Sequence, residues 1–485
     1  MAFLLIFIKI IEILQMKIKS NFFLFCFVFL SFKSLWAQQQ TDINYETFLN
    51  AIISSHPVSI KSNNIGRYGE LQFKAAKGVY DPVLSANFDN KYFNSVNYYS
   101  YANAEIKQPL FTSQYIKAGY DFSNGSFVNP EHKTNQYGLP YIGFEVALLQ
   151  GLIIDKRRSE LLKSRHYKEY YNAEKLILIN NLLFESSQVY FDYLFFDKQY
   201  VLNNFFVDLA KQRISLIESL ASIGEKPALD TVESKILLQS RLFELQSAFM
   251  EKNKKLMELN SCLWQNGFPD SVFNKVFVDS LDLYFIKSKQ LISNNINNAE
   301  QVNPLLQQYK AKQNILEVDK KLKWEMIKPK LDLNYNLLSN NYATVNPVFS
   351  NNNYKWGANL SFPLFLRNSR NEYKMSDLSA KNNFLELNSK SNELKYKQLG
   401  LFQAIEVLSN QIENAQNMVQ LSKQLFEAEK LRFSNGESSL FLLNTRESKW
   451  LEFELKLLEY KTKYIKTTLN IAYLNGGLIS SNWLN

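Results

Sequence analysis

Three segments of the chain carry the hydrophobic spacing of coiled-coil helices. In each segment the seam positions follow one another at alternating intervals of three and four residues, the spacing of a left-handed coiled coil. The first seam comprises Leu238, Leu242, Leu245, Phe249, Lys252, Leu256, Leu259 and Leu263. The second comprises Ile405, Leu408, Ile412, Ala415, Val419, Ser422 and Phe426. The third comprises Trp450, Phe453, Leu457, Tyr460, Tyr464, Thr467, Ile471 and Leu474. The pattern predicts long helices packed side by side.

Four other segments alternate apolar with polar or glycine residues, as strands with one apolar face do. Their apolar positions are Leu84, Ala86, Phe88 and Tyr92; Ile142, Phe144, Val146 and Leu148; Leu331, Leu333, Tyr335 and Leu337; and Trp356, Ala358, Leu360 and Phe362. Tyrosines crowd the strand ends, as in the aromatic girdle of a membrane barrel. A soluble sandwich shows similar alternation, so the strands alone leave both architectures open.

Glycine and proline are scarce, with 15 and 11 among 485 residues, and residues 152–223 and 228–266 contain neither. A helix over residues 152–223 would be about 110 Å long. Because the return helix 228–266 is too short to cover it, we expect the helix that begins at Pro57 to cover the remainder. Each long helix therefore packs against two short helices stacked end to end.

The chain is an internal duplication. Matching landmarks are His56-Pro57 with Asn303-Pro304, Pro82 with Pro329, Gly143 with Gly357, Gly224-Glu225 with Gly436-Glu437, and Glu233-Ser234-Lys235 with Glu447-Ser448-Lys449. Each half is predicted to contain a helix, a β segment, a very long helix, a glycine turn and a return helix.

The predicted organisation follows from these landmarks. Residues 1–37 form a signal peptide, 38–267 the first repeat, 268–300 an equatorial segment where the short helices meet, and 301–485 the second repeat. Within the first repeat we expect a β segment over 80–150, a long helix over 152–223 and a return helix over 228–266. The equivalents in the second repeat are 329–364, 365–435 and 437–475.

The amino-terminal segment has the pattern of a signal peptide for export. Lys17 and Lys19 precede an apolar run, and Leu35-Trp36-Ala37 fits a signal-peptidase site. Met16 is the preferred start, with a longer anchor as the alternative. Cys26 lies within the apolar run, which leaves Cys262 as the lone cysteine of the mature chain, expected to be a buried apolar thiol.

Composition and motifs argue against enzymes and nucleic-acid binding. The formal net charge is only +9, and the short basic runs alternate with Glu as on a solvated helix face. His56, His132 and His166 lie far apart, and no nucleotide, metal or nucleophile motif occurs. His56 is expected to begin a helix immediately before Pro57. Glu233 and Glu447 each start a Glu-Ser-Lys segment on a helix near a turn, and both are expected to be surface residues. We therefore predict no cofactor, no metal and no catalytic residue.

Several features in this order resemble one family. They are the paired His-Pro and Asn-Pro helix starts, the Pro-initiated strands, Ser361-Phe362-Pro363-Leu364-Phe365 before a long helix, and Arg432-x-x-x-Gly436-Glu437 before a heptad segment that ends at Tyr473-Leu474-Asn475-Gly476. Over nearly the whole mature chain this resembles the TolC-like outer-membrane efflux protein family. The resemblance implies an α+β membrane protein: a homotrimer with a long coiled-coil α-helical barrel in the periplasm and a transmembrane β-barrel, both completed by trimerisation. Two departures are Leu220 in place of Arg, and Leu148-Leu149-Gln150-Gly151 in place of the Pro-Leu-Phe segment.

The resemblance implies a passive exit duct of a tripartite efflux pump or a type I secretion system, working with a periplasmic adaptor and an inner-membrane pump. The alternative is a non-conducting, envelope-spanning coiled-coil scaffold, for which strands with a polar inner face would have no use. The cargo stays open. Adaptor docking and gating are expected at the two periplasmic tips, which comprise Ser222, Gly224, Glu225, Lys226, Arg432, Asn435, Gly436, Glu437, Ser438 and Ser439.

The first half carries more sequence in its β segment than the second. We expect two additional strands, over residues 98–107 and 114–122. They either enlarge a trimeric barrel from the family's usual twelve strands to eighteen or form an extracellular hairpin above it.

Overall fold

The computed structural model describes residues 41–265, 268, 269, 275–277, 279–294, 303–339 and 349–479. The predicted signal peptide and residues 340–348 lie outside these residues, as does part of the equatorial segment.

Two of the described helices are very long and the other six are shorter. They are α1 Tyr45–Ser55, α2 Pro57–Lys77, α3 Lys156–Ser222, α4 Ala228–Ser261, α5 Leu281–Asn294, α6 Pro304–Glu325, α7 Arg367–Ser434 and α8 Leu440–Leu474. With 67 and 68 residues, α3 and α7 are each about 100 Å long. None of the helices in the described ranges combines the length and the apolar composition that a membrane crossing requires.

Six strands form one antiparallel sheet: β2 Val83–Phe93, β3 Val96–Pro109, β4 Gln114–Asn124, β5 Leu139–Ala147, β9 Lys330–Ser339 and β10 Phe349–Ser361. Their order across the sheet is β10-β9-β5-β4-β3-β2. Short pairs join β1 Thr41–Ile43 to β8 Lys275–Phe277, and β6 Trp264–Gln265 to β7 Phe268–Pro269. The additional residues of the first half are thus the strands β3 and β4. Because they lie in the sheet between β2 and β5, the alternative of a separate hairpin above the barrel is wrong.

The helices form one layer, and the order in which they lie side by side differs between its two ends. Toward the sheet the order is α2-α3-α6-α7, and toward the far end it is α4-α3-α8-α7. Both α2 and α4 pack on α3, and both α6 and α8 pack on α7. The prediction of two short helices against each long one is confirmed. Helix α7 lies at one edge of the layer, and α2 and α4 share the other.

The main core lies where the short helices meet. Its largest fully buried side chains include Phe48, Tyr190, Phe191 and Ile465. The carboxylate of Asp279 accepts hydrogen bonds from the backbone N–H of Tyr45 and from the hydroxyl groups of Tyr190 and Tyr284, at 2.5–2.7 Å. Burial, and then the bond to Asp279, raises the pKa of both Tyr190 and Tyr284. The described part of the equatorial segment thus ties α1 and α5 to the middle of α3.

Burial tests the predicted seams on α7 and α4. On α7, six of the seven seam residues are buried and Val419 is half-buried, so this seam is confirmed. On α4 the prediction is wrong for Phe249, which is 50% exposed. The most buried line there is Ser234, Arg241 and Ala248. A hydrophobic pattern does not detect this line, because its residues are small or charged. The larger apolar residues beside it on the helix produce the apparent seam instead.

Two predictions for single residues can also be compared with the structure. His56 begins α2 as expected, and its Nδ1 accepts the backbone N–H of Val58 at 3.2 Å. Cys262 is half-buried rather than fully buried, and its thiol lies 3.5 Å from the carbonyl oxygen of Glu258. Burial raises the pKa of the Cys262 thiol.

Candidate functional site

Both long helices end in the same backbone motif, which creates two matching tips. In the first, the Gly224 N–H donates to the Ala221 carbonyl at 3.1 Å and the Glu225 N–H to the Leu220 carbonyl at 3.0 Å. In the second, Gly436 donates to Phe433 at 3.1 Å and Glu437 to Arg432 at 2.9 Å. These paired bonds define a Schellman motif, which requires a left-handed residue. Gly224 and Gly436 supply it, with φ values of +79° and +77°.

The second tip, Arg432 to Ser439, is held by polar contacts. The Arg432 guanidinium donates to the Glu437 carbonyl at 3.4 Å. The hydroxyl of Ser438 donates to Glu429, a carboxylate that is 5% exposed. Ser439 caps α8 by accepting the N–H of Leu442 at 3.3 Å, and Asn435 caps the end of α7. Glu437 is exposed.

The first tip, Ser222 to Lys226, has fewer polar contacts. The hydroxyl of Ser222 donates to the carbonyl of Ser219 within the last turn of α3. Lys226 places its ammonium 4.5 Å from the centroid of the Phe433 ring, a cation–π contact that joins the two tips of one chain. The structure thus connects the two predicted groups through Lys226, whereas Gly224 and Gly436 have open space where a Cβ would stand.

A buried ionic cluster lies behind the tips. Glu447 is fully buried and accepts a hydrogen bond from Arg213, and Arg241 approaches its second oxygen with Nε at 3.8 Å. Asn444 accepts from Arg213 at 2.8 Å and donates to Glu233 at 2.9 Å. The cluster joins α3, α4 and α8. The surface setting expected for Glu447 is wrong, because α8 turns it toward α3. The duplicated Glu-Ser-Lys motif draws attention to Glu447 in the sequence. No sequence pattern indicates that Arg213 and Arg241 are buried beside it.

One face of the six-stranded sheet is polar and internally bonded. Tyr101 and Asn103 donate to Asp121, at 2.9 and 2.6 Å, and Lys107 pairs with Glu145 at 2.6 Å. Where Gly357 lies across from Asn334, a Cβ would come within 2.5 Å of the amide oxygen, so glycine leaves room for a polar side chain on this face. The other face exposes large apolar side chains, including Leu84, Phe88, Ile116, Phe144, Trp356 and Leu360.

The architecture combines a β sheet that has one apolar and one polar face with a layer of helices about 100 Å long. No protein-family model and no curated protein sequence matches the chain.

Solved structures do match it. The outer-membrane channel OprN aligns with a TM-score of 0.63 and 12% identity, covering 90% of each chain. The outer-membrane protein VceC of Vibrio cholerae aligns with a TM-score of 0.62 and 10% identity, over 89% of this chain and 95% of VceC. The Campylobacter jejuni CmeC outer-membrane channel aligns at 0.60 and 13%, over 93% and 94%. The chain therefore has the TolC-like fold of these outer-membrane channels.

Proposed function

We propose that the protein is the outer-membrane exit duct of a tripartite efflux pump or a type I secretion system, a passive channel-tunnel that carries substrates from the periplasm to the exterior. The six-stranded sheet is the observation that carries this proposal. Its apolar face suits lipid, because exposed side chains such as Trp356 and Leu360 lose their contact with water there. Its polar face, with Asp121, Lys107 and Glu145, suits a water-filled lumen.

The sheet has two open edges, which argues for assembly from several copies. Strands β2 and β10 each have one neighbour within the described sheet. In a bilayer, unpaired backbone N–H and C=O groups cost several kcal/mol each, so membrane sheets close into barrels. Because β2 and β10 run in opposite directions, the β10 edge of one copy can pair with the β2 edge of the next. Three copies give eighteen strands.

The helical layer has matching unpartnered edges. Along α4, exposed apolar residues recur every seven residues: Leu229, Ile236, Phe243, Met250 and Met257. The opposite edge, α7, exposes Leu385, Leu399, Leu421 and Leu425. Such stripes fit knobs-into-holes packing against another helix. A second copy that places its α7 on this α4 supplies the helix, and the homotrimer closes both barrels.

The two tips are proposed as the docking and gating site. They lie at the end of the helices farthest from the sheet, where an adaptor from the inner membrane would arrive with its pump. Ser222, Gly224, Glu225 and Lys226 form one polar surface, and Arg432, Asn435, Gly436, Glu437, Ser438 and Ser439 form the other. The small seam residues Ala415 and Ser422 reduce the cost of sliding α7 during opening, because they interlock less deeply than leucine.

Reconstitution in planar bilayers tests the proposal. The mature protein, purified in detergent as a species of three chain masses, is expected to give discrete conductance steps. A trimer that inserts but never conducts, with or without its adaptor and pump, would favour the scaffold alternative instead. A monodisperse monomer, soluble without detergent, would contradict both the barrel and the membrane location.

A further inference from the structure

The loop between β4 and β5, residues 125–138, folds back onto the sheet. Ser123 and Thr134 form a reciprocal pair: the backbone N–H of each donates to the hydroxyl of the other, both at 2.9 Å. The ring of His132 lies against the ring of Tyr101, with centroids 4.9 Å apart. Ser123 is only 8% exposed as a result. The far end of the loop is therefore attached to the sheet rather than extended into solvent.

The contacts identify the face on which the loop lies. Tyr101 donates its hydroxyl to Asp121, so its ring is on the polar face. Ser123 is the register partner of Tyr101 across β3 and β4, and follows Asp121 by two positions, which puts it on the same face. The attachments of residues 132–134, Thr134 to Ser123 and His132 to Tyr101, are thus on the face that would line the lumen, whereas Tyr137 at the base of the loop accepts a hydrogen bond from Tyr120 on the apolar face.

The loop leaves and rejoins the rim of the sheet at two glycines. Gly125 has φ of +133° and Gly138 has φ of +77°, backbone conformations that L side chains rarely adopt. Tyr98 meets the first part of the loop, because its carbonyl accepts the N–H of Phe127 at 2.8 Å. These turns direct residues 130–134 over the polar face, at the end of the sheet opposite the helices.

The proposed barrel is wide, so a loop lying over its polar face would change the width of the channel. Barrel diameter grows roughly linearly with strand number, so eighteen strands make a barrel about half as wide again as twelve. Barrels of this size leave an open aqueous channel unless a segment of chain enters it. A segment attached to the lumenal face in each of three copies narrows such a channel.

We propose that loop 125–138 is an exit constriction that sets the largest cargo able to leave the barrel. The proposal rests on the exit-duct function proposed above. Three copies of the loop project their polar residues Glu131, His132 and Lys133, all exposed, into the mouth of the channel. Cargo passing the periplasmic tips meets this second, narrower limit, which is fixed by the fold of the loop and needs no pump or adaptor.

Labelling of a lumenal cysteine tests the constriction independently of the tips. Asn359 lies on the polar face of β10, toward the helices, and is exposed. In an Asn359→Cys, Cys262→Ser protein displayed in the outer membrane of cells, maleimides carried on polyethylene glycol of increasing length are added from outside. We expect the wild-type loop to admit only short reagents. Replacing residues 127–136 by a short Gly-Asn turn should raise labelling by long reagents about ten-fold, because the wider barrel is then open.

Milder and matched variants complete the test. His132→Ala with Thr134→Val removes the ring contact and the hydrogen bond to the Thr134 hydroxyl, keeps only the backbone N–H bond to Ser123, and should admit reagents of intermediate length. Thr112→Val, in the exposed turn between β3 and β4 at the helical end of the same strands, should match the wild-type loop. Equal size limits in all four proteins would overturn the constriction while leaving the duct proposal intact. Failure of even the smallest membrane-impermeant maleimide to label any of them would overturn the duct, and the constriction with it.

Discussion

The carboxylate of Glu447, which has no exposed surface, lies between the guanidinium groups of Arg213 and Arg241. The three side chains come from three helices, α8, α3 and α4. They therefore bind the hairpin of the second repeat to both helices of the first, close to the tips.

Removing one partner of this cluster should destabilise the helices strongly. Glu447→Ala leaves the buried guanidinium of Arg213 without its carboxylate and Arg241 with Glu244 alone, and breaking a buried pair in this way costs about 3–5 kcal/mol. Thermal unfolding of the detergent-solubilised protein, followed by helical circular dichroism, measures the loss. The matched control is Glu452→Gln, which breaks exposed pairs with Lys449 and Lys456 and should cost at most about 1 kcal/mol. Similar midpoints for the two variants would show that the cluster contributes no more than a surface pair.

Valine at Gly436 should impair export without preventing assembly. The left-handed conformation at φ +77° costs an L residue about 1–2 kcal/mol, and more when it is β-branched. Nothing lies within 4 Å of the added Cβ, so the strain falls on the turn itself. Export of cargo by cells and the amount of trimer in the membrane are the two measurements.

Gly400→Val is the control for that experiment. Gly400 lies within α7 and likewise has open space around an added Cβ, but its φ is ordinary for a helix. This variant should export normally. If Gly436→Val, Arg432→Ala and Glu437→Ala together exported at the wild-type rate, the tip would have no part in docking or gating.

His56 should make stability depend on pH. Burial lowers the pKa of its imidazole, so the folded protein favours the neutral ring that accepts the Val58 N–H. A group with a depressed cationic pKa contributes its stability above its unfolded value, near 6.5, and loses it as the pH falls from there toward the folded value.

The duplicate helix supplies the substitution for this test. Asn303 caps α6 by accepting the N–H groups of Leu305 and Leu306, at 2.8 and 3.3 Å, and does not titrate. His56→Asn should therefore retain the cap and show a smaller loss of unfolding midpoint between pH 7.5 and 5.5 than the wild type. His166→Asn serves as the control, since His166 pairs with Glu169 on one side of α3. An unchanged pH profile in His56→Asn would contradict the assignment.

Glycine at position 95 should stabilise the outer end of the sheet. Asn94 and Ser95 form the two-residue turn between β2 and β3, both with positive φ, at 51° and 62°. A turn with two positive φ angles favours Asn-Gly, so Ser95→Gly should gain about 0.5–1 kcal/mol. Ala102→Gly, inside β3, should lose a similar amount. Thermal loss of the strand signal in circular dichroism compares the two, and destabilisation by Ser95→Gly would rule out this turn.

The sequence predicted elements whose signals are periodic and missed those that depend on partners. The α7 seam and the stacking of two short helices on each long one follow from spacing and chain length. The Arg213–Glu447–Arg241 cluster could not be predicted, because a charged residue on a long helix has the same local pattern whether it faces water or a third helix. The shifted burial of α4 has the same origin: Arg241 is buried against α8, which supplies Glu447 and Ser448 as partners in addition to Glu244 on α4.

The tips could be predicted because the glycines that end the two long helices are recognisable in the sequence. Gly224 and Gly436 mark the turns, and the backbone motif follows from them. Lys226 over Phe433 and Ser438 on Glu429 are invisible at that level, since they join residues that only the packed hairpins bring together.

The unequal β segments of the two repeats change the symmetry of the molecule along its axis. Each chain gives the helical layer two similar hairpins, whereas the first repeat gives the sheet four strands and the second gives two. The proposed trimer would thus be close to six-fold at the helical end and only three-fold at the sheet. A partner docked at the helical end of that trimer would meet six similar turns in alternation, every second one carrying Arg432 where the others have Leu220. A six-fold ring of identical partner tips would therefore bind at two chemically different kinds of turn, one with Arg432 and one with Leu220.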